Sequence, residues 1–518
     1  TRMLIKILTE AGANSWTEYN FSFMGDISMA KVIKKNGAEV MPDRQGSFIV
    51  FKNLEPGDMI KLEGSAKTTD ENELGNMFGA FNVLSLHAPM HYAKVEMAVP
   101  QNSTLNYLGQ KVDYQNVQKS TNDGMDYYKW EFKSIDKIVS EEAIIDIYDL
   151  YPILQLNSFK DWSPIVEWYQ AKTYRKLEPN YETRNVIDSL IKPGMSDKDK
   201  IETIYNYITK DINYSFTQLL QSNYIPKNSD LTICSKIGDC KDVSTLLITL
   251  LRMVDVKAYY VLVKTNSYFH MKTLPNLYFD HVITAYELDG KMYFTDPTSA
   301  FYPYYVTNEN DVDAWGLLIK EGEKELIKLP HDEVDATKNL VTYNIEATLN
   351  ADRSLQMKIE GEFKGLAGGL VREMYQKTAK DNFETELLKF MGKGVFENLD
   401  MDKFVLNNPD DITPPLTGNF ELSAYSFSDN IDEIQFMRIP YVNAVRPSPI
   451  ISSKKRFNSL LLSEIIDPEP TLQKITIKLP IGYTLRKMPK DITVDNEFVK
   501  YTVTFKQDKN GLYVEKFQ

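Results

Sequence analysis

Hydrophobic and polar positions follow three successive patterns along the chain. From residue 1 to about 148 they alternate. "AKVEMAVP" puts Val95, Met97 and Val99 on one face, and "YYKWEFKSI" sets Tyr128, Trp130 and Phe132 against Lys129, Glu131 and Lys133. A period of two is that of a half-buried strand. "NLEPGDMIKLEG" carries a Pro56-Gly57 turn between two such strands. The segment 1–148 reads as an N-terminal β-sandwich and carries no visible site.

The period then lengthens. "DWSPIVEWYQAK" offers Ser163 as a helix cap and Pro164 at the first helical position, where a missing N–H costs nothing. "PGMSDKDKIETIYNYITKDI" has Ser196 as cap, acidic residues in the first turn, and Ile201, Ile204, Tyr205 and Ile208 on one stripe. A third helix follows with Val243, Leu246, Leu247, Leu250 and Leu251 as a wide apolar face. Strands return at "AYYVLVK", "DHVITAYEL" and "KMYFTDP". After residue 337 "VTYNIEATLNADRSLQMKIEG" reads as a hairpin about an Asn350–Arg353 turn, "LQKITIKLP" as a late strand, and one helix interrupts near 382–392. No fixed repeat is apparent. The predicted layout is a β-sandwich over 1–148, a helical lead-in and α+β core over 149–337, and a β-rich domain over 338–518.

Composition narrows the function classes. At 518 residues the chain exceeds what one hydrophobic core serves. A net charge of −13 and a pI near 5.1 argue against nucleic acid or an anionic membrane as partner, since both need clustered Lys and Arg. No run approaches the roughly 18 apolar residues of a membrane span. The two cysteines, Cys234 and Cys240, are half of a Cys₄ metal site and no disulfide framework. His87 and His91 in "HAPMH" are separated by Pro89, which breaks the helix that would put both on one face. No metal or other cofactor is expected.

The chemistry gathers in the middle. "SKIGDCKDVSTLLITLLRM" sets Cys240 at the mouth of the third helix, with Gly238 freeing the backbone for the turn. Unpaired N–H groups and the positive end of the helix dipole favour an anion there, which suits a nucleophilic thiolate. Asp239 and Asp242 oppose it, though both fit helix-start capping. In "HVITAYELDGKMYFTDP", Asp289-Gly290 is a type I′ hairpin turn. Counting outward pairs Leu288 with Lys291 and Ile283 with Asp296. His281 then shares a face with Asp296 as a diagonal neighbour, typically ~7–8 Å away at the backbone and within side-chain reach. An aspartate on one ring nitrogen fixes the tautomer and leaves the other for a thiol or substrate.

With the upstream helix "KIETIYNYITKDINYSF", then "GDCKDVSTLLITLLRMVDVKAYYVLV", "FDHVITAYEL" and "YFTDPT", the segment 196–300 resembles the transglutaminase-like superfamily, which shares the papain-type Cys-His-Asp arrangement. "TRMLIKILTEAG" with "FKNLEPGDMIKLEG" resembles the bacterial β domain DUF3857, and the tail is similar to the β domain, DUF3858-like, that follows such cores. The resemblance implies Cys240 as nucleophile, His281 as general base and then acid, and Asp296 as the orienting carboxylate. It implies a cysteine peptidase or amidase working on a peptide or carboxamide through a thioester, or a protein-glutamine transglutaminase, in an exported bacterial protein. A chain that begins at Thr1 is compatible with a removed signal segment. Asp255-Val256-Lys257-Ala258 stands where the family has a Gly after the helix, and Asp tolerates the left-handed region that turn needs. The Cys240 N–H is the first oxyanion donor; Tyr214, Gln218, Gln221 and Asn223 are candidates for a second. Cys234 reads as structural, with a Cys234–Cys240 redox pair as the alternative. "SYFHMKTLPNLYF" lines a cleft with His270 at its rim, or covers the core. A non-catalytic binding or scaffold protein is the remaining alternative from another class.

Overall fold

The computed structural model describes residues 1–21, 24–66, 79–84, 88–139, 141–144, 147–216, 224–265, 273–307, 310–330, 336–392, 399–442, 455–462, 469–508 and 511–518. The chain divides into two compact units, 1–76 and 77–518. In the first, the sheet order is Arg2–Lys6, Met59–Ser65, Asp26–Ile33, Glu39–Val40, beside a smaller sheet of Glu18–Asn20, Phe48–Val50 and Asp43–Gln45. Ile7, Phe21, Ile49, Phe51, Ile60 and Leu62 form its core. A short helix, Glu10–Trp16, is absent from the alternation reading; Thr9 caps it by accepting from the Gly12 N–H at 3.0 Å.

The second unit opens with strands. Met90–Pro100 pairs with Met125–Ile135, whose Trp130 and Phe132 are buried as the alternation required. Ile153–Asn157 pairs with both Asn106–Gln110 and Gly79–Val83, so strand structure continues past residue 148. Every residue of Ile153–Asn157 is buried, including Gln155 and Asn157.

The core follows. Its helices are Ser163–Thr173, Tyr181–Leu190, Asp197–Asp211, Ser229–Ser235 and Cys240–Met253. The first departs from expectation at its start: Ser163 is already helical, and its N–H is held at 2.9 Å by Asp161 Oδ1, a shorter route to the same end. Asp197–Asp211 is capped by Ser196 in a reciprocal box with Asp199, and Ile201, Ile204, Tyr205 and Ile208 are its buried stripe. Against the helices lies an antiparallel sheet ordered Lys291–Thr295, His281–Leu288, Ala258–Lys264, Trp315–Leu318, Ile327–Lys328. Asp289 and Gly290 take φ of 51° and 74°, and the register pairs Leu288 with Lys291 and Thr284 with Thr295, as counted from the turn.

The C-terminal region is an eight-stranded sheet. Its order is Leu399–Asn407, Leu416–Ala424, Leu355–Phe363, Val341–Leu349, Thr471–Lys478, Gly511–Phe517, Lys500–Asp508, Ile492–Asp495. The hairpin expected about Asn350–Arg353 forms, with Leu349 paired to Leu355. Two helices interrupt, not one. Lys380–Gly392 was expected; Gly365–Lys377 was not, because Gly365, Gly368 and Gly369 argue against a helix on propensity. Packing overrides that: a Cβ on Gly369 would sit 2.2 Å from the Tyr302 ring, so the glycine is what lets the helix approach. Among the described residues no helix is long and apolar enough to cross a membrane.

Candidate active site

Cys240 is the first residue of its helix, and every position from Cys240 to Leu251 is buried. The helix is locked beneath the sheet by Ser244 Oγ donating to the Val282 carbonyl at 3.0 Å and by Thr245 Oγ1 against the Tyr260 hydroxyl at 2.8 Å. Asp239 caps it in a reciprocal box with Asp242: Asp242 N–H reaches Asp239 Oδ1 at 3.3 Å, and Asp239 N–H reaches Asp242 Oδ2 at 3.3 Å. The two carboxylates that oppose a thiolate in sequence are neutralised in space. Lys241 pairs with Asp239, both buried, and Lys227 meets Asp242 through Nζ at 3.1 Å and through its backbone N–H at 2.8 Å. Gly238 serves a different purpose from the one expected. Its φ is not in the left-handed region; a Cβ there would lie 3.0 Å from the Asp242 Cβ and 3.1 Å from Thr232 Cγ2, so the glycine supplies space.

His281 opens its strand at the edge of this helix. Its Nε2 lies 3.1 Å from Asp296 Oδ2, with the two side chains 13% and 4% exposed. Asp296 is itself held. Oδ1 accepts from the Thr298 N–H at 2.9 Å and from Thr298 Oγ1 at 2.8 Å, and Oδ2 accepts from Ser299 Oγ at 3.0 Å. Behind it the Tyr205 hydroxyl donates to the carbonyls of Asp296 and Ser299 at 3.1 and 3.2 Å. The lead-in to His281 is anchored from far away in sequence: Gln155 Oε1 accepts from the Leu274 N–H and Asn157 Nδ2 donates to the Pro275 carbonyl, both at 2.9 Å. The Tyr224 hydroxyl bonds the Leu277 carbonyl in the same loop.

Burial disfavours charge on His281, but the Asp296 carboxylate beside it and the hydrogen bond to that carboxylate, helped by the nearby Cys240 sulfur, outweigh that and hold the imidazole well above its ordinary value. Burial pushes Asp296 up, and the His281 charge and the hydrogen bonds from His281 and Thr298 bring it below the usual aspartate range. Asp296 thus holds Nε2 of the ring, and the Cys240 helix packs on the His281 strand, where Ser244, one turn along from Cys240, bonds the carbonyl of Val282 next to His281. The Cys240 side chain is almost enclosed, at 2% exposure.

The backbone N–H of Cys240, at the helix start, lacks an intrahelical acceptor by geometry. Of the second-donor candidates, Tyr214 is brought close: its two-residue strand Asn213–Tyr214 pairs with Ile237–Gly238, and its phenol, pushed up chiefly by burial, feels both Cys240 and Asp296. Gln218, Gln221, Asn223, His270 and His87 lie outside the described residues. Cys234 is exposed and Cys240 buried, and both are free thiols. Three supports escaped the sequence reading. Thr298 and Ser299 were signalled by "DPTS", where Ser/Thr two or three residues after Asp is turn chemistry; Tyr205 looked like any member of an apolar stripe. Asp311, buried beside His281 and Asp296, stands in the acidic run "NENDVDAWG" with nothing to single it out.

Residues 184–288 match the family model of the transglutaminase-like superfamily, residues 32–139 that of the domain of unknown function DUF3857, and residues 436–516 that of DUF3858. Among solved structures, a "putative protease" from Parabacteroides distasonis aligns with 100% of this chain and 88% of its own at 13% identity, with a TM-score of 0.60. A "putative cysteine protease" from Cytophaga hutchinsonii aligns with 43% of this chain and 78% of its own at 13% identity, with a TM-score of 0.20. No curated protein matches the chain in sequence. The first of these likenesses is one of fold. The chain thus has strand-rich ends around a helical core, and residues 184–288 of that core match the transglutaminase-like superfamily, between regions that match DUF3857 and DUF3858.

Proposed function

We propose that the protein is a cysteine peptidase or amidase that cleaves a peptide or side-chain carboxamide of a protein substrate through a thioester. The observation that carries this reading is the buried His281–Asp296 pair, 3.1 Å apart, on the strand against which the helix that starts at Cys240 is bonded. In the first half-reaction the Cys240 sulfur bonds to the carbonyl carbon, the C–N bond breaks, and the His281 imidazolium gives its proton to the departing amine. In the second, His281 takes a proton from water, the hydroxide displaces the thioester sulfur, and the acid leaves with the thiol restored. Asp296 keeps the ring oriented and supports its charge, and the helix-start N–H of Cys240 faces the developing oxyanion.

Transamidation is the second reading, favoured by the 2% exposure of Cys240, since an enclosed thioester is protected from water. Both readings share the first half-reaction. Profiling with a library of peptides and glutamine donors, with and without a primary amine, separates them: acid release without amine supports hydrolysis, and amine incorporation supports transfer. Cys240→Ala abolishes either while the circular dichroism spectrum is unchanged. Turnover surviving that substitution rules out the assignment.

A further inference from the structure

One buried group near the dyad has no part in the reaction above. Asp311 is 1% exposed, and neither of its carboxyl oxygens has a hydrogen-bond partner among the described residues. It faces Asp296 across a gap that does not meet hydrogen-bond geometry. A ring nitrogen of His281, an oxygen of Asp296 and an oxygen of Asp311 all lie within 4.8 Å of one another. A further carboxylate that Asp311 feels, Asp280, is already engaged by Lys264 and by the Thr265 N–H at 2.8 Å. A buried carboxyl aimed at a second carboxylate, with no donor among the described residues, is a costly arrangement unless a proton or a cation shares it.

We propose that His281, Asp296 and Asp311 form a site for a divalent transition-metal ion, zinc by donor chemistry, whose positive charge at Nε2 lowers the basicity of the ring nitrogen left for Cys240. One imidazole nitrogen and two carboxylate oxygens are a zinc donor set, and the two carboxylates balance the ion's charge. Zinc holds such ligands at about 2.0–2.2 Å, which places ligand atoms of a tetrahedral site roughly 3.4 Å apart. His281 and Asp296, at 3.1 Å, already have that spacing. Only the Asp311 carboxylate must close in. The ion takes the place of the proton between Nε2 and Oδ2, so the Ser299 and Thr298 hydroxyls keep their bonds to Asp296 and become an outer layer that orients it. His281, unlike the two aspartates, is partly exposed, and that side is the route of entry.

The inhibitory consequence rests on the proposed function, because only there is His281 an acid and base; the binding does not. Isothermal titration of chelator-treated full-length protein with Zn²⁺ is expected to show one ion per chain, at least tenfold weaker in Asp311→Asn and Asp311→Ala, while Cys240→Ala binds as the wild type does. In the same preparation Zn²⁺ at one equivalent slows iodoacetamide alkylation of Cys240 more than that of Cys234. Because the aspartate variants carry a risk of misfolding, Co²⁺ bound to the wild-type chain gives an independent readout: its visible spectrum is expected to lack a sulfur-to-cobalt charge-transfer band. No binding to the wild type, undiminished binding in folded Asp311 variants, or a sulfur band from bound cobalt would each overturn the site. Zinc binding without any turnover would retire the peptidase reading and leave the metal site standing; turnover without zinc binding would do the reverse.

Discussion

Asp296→Asn keeps the shape of the side chain and removes its charge, so it isolates what the carboxylate does for His281. At 3.1 Å and an effective dielectric of about 20, the carboxylate–imidazolium attraction is about 5 kcal/mol; placing the charge centres an ångström further apart leaves about 4 kcal/mol. Both side chains are mostly buried, so solvent screens little of this. Removing it leaves burial as the dominant influence on the ring, and burial favours the neutral form. A preference of about 4 kcal/mol corresponds to roughly 10³ in population, and we expect the imidazolium form of His281, and with it the rate of Cys240 alkylation, to fall by about 10²–10³-fold. The assay is alkylation by iodoacetamide at pH 7, read by mass spectrometry of the peptides carrying Cys240 and Cys234. Cys234 is an exposed free thiol outside the dyad, so the ratio of the two rates corrects for reagent and folding differences in one tube. A Cys240/Cys234 ratio in Asp296→Asn within about threefold of wild type would show that the ion pair does not govern the sulfur's reactivity, and with it the proposed division of labour would fall.

Three further substitutions test the supports. Tyr205→Phe deletes the donor to the Asp296 and Ser299 carbonyls, and should cost about 1–2 kcal/mol in denaturant unfolding together with a several-fold slower Cys240 alkylation; an unchanged alkylation rate would reduce Tyr205 to packing. Gly369→Ala puts a methyl 2.2 Å from the Tyr302 ring and should cost about 1–3 kcal/mol, seen as a lower melting temperature, whereas a neutral outcome would mean that the two elements separate easily. Asp58, in the first unit, is pushed up by burial but held below the ordinary aspartate range by Lys34 and the N–H groups of Glu55 and Lys35. A depressed carboxyl stabilises above its unfolded value and loses that contribution as pH falls through the folded one. Asp58→Asn is therefore expected to lower stability at pH 7 and to flatten the acid limb of the unfolding midpoint of residues 1–76; an unaltered acid limb would contradict it.

What the sequence disclosed about the site, and what it hid, follows from how far apart the partners are. His281 and Asp296 could be paired by counting because a two-residue turn with positive φ at Asp289 and Gly290 leaves one register for the strands on either side. The Cys240 helix start could be read from a capping box closed within three residues, and the left-handed Asp255, at φ 66°, from its place one residue past the helix cap. Each of these is encoded over a handful of positions. The helix Gly365–Lys377 and the neutralising Lys227 were hidden for the opposite reason: the first is stabilised by Tyr302 against its own propensities, and Lys227 reaches Asp242 from fifteen residues away with no period to announce it. Asn157 is 118 residues from the carbonyl it holds. Local chemistry thus places the cysteine at its helix start and the histidine beside the aspartate, while distant contacts such as those of Lys227 and Asn157 hold their surroundings in place. A chain of this fold can therefore retain a legible Cys, His and Asp and still lose its reactivity through changes at Lys227, Lys241, Asn157 or Asp311, so the motif alone is a statement about geometry, and activity must be argued from the residues that surround it.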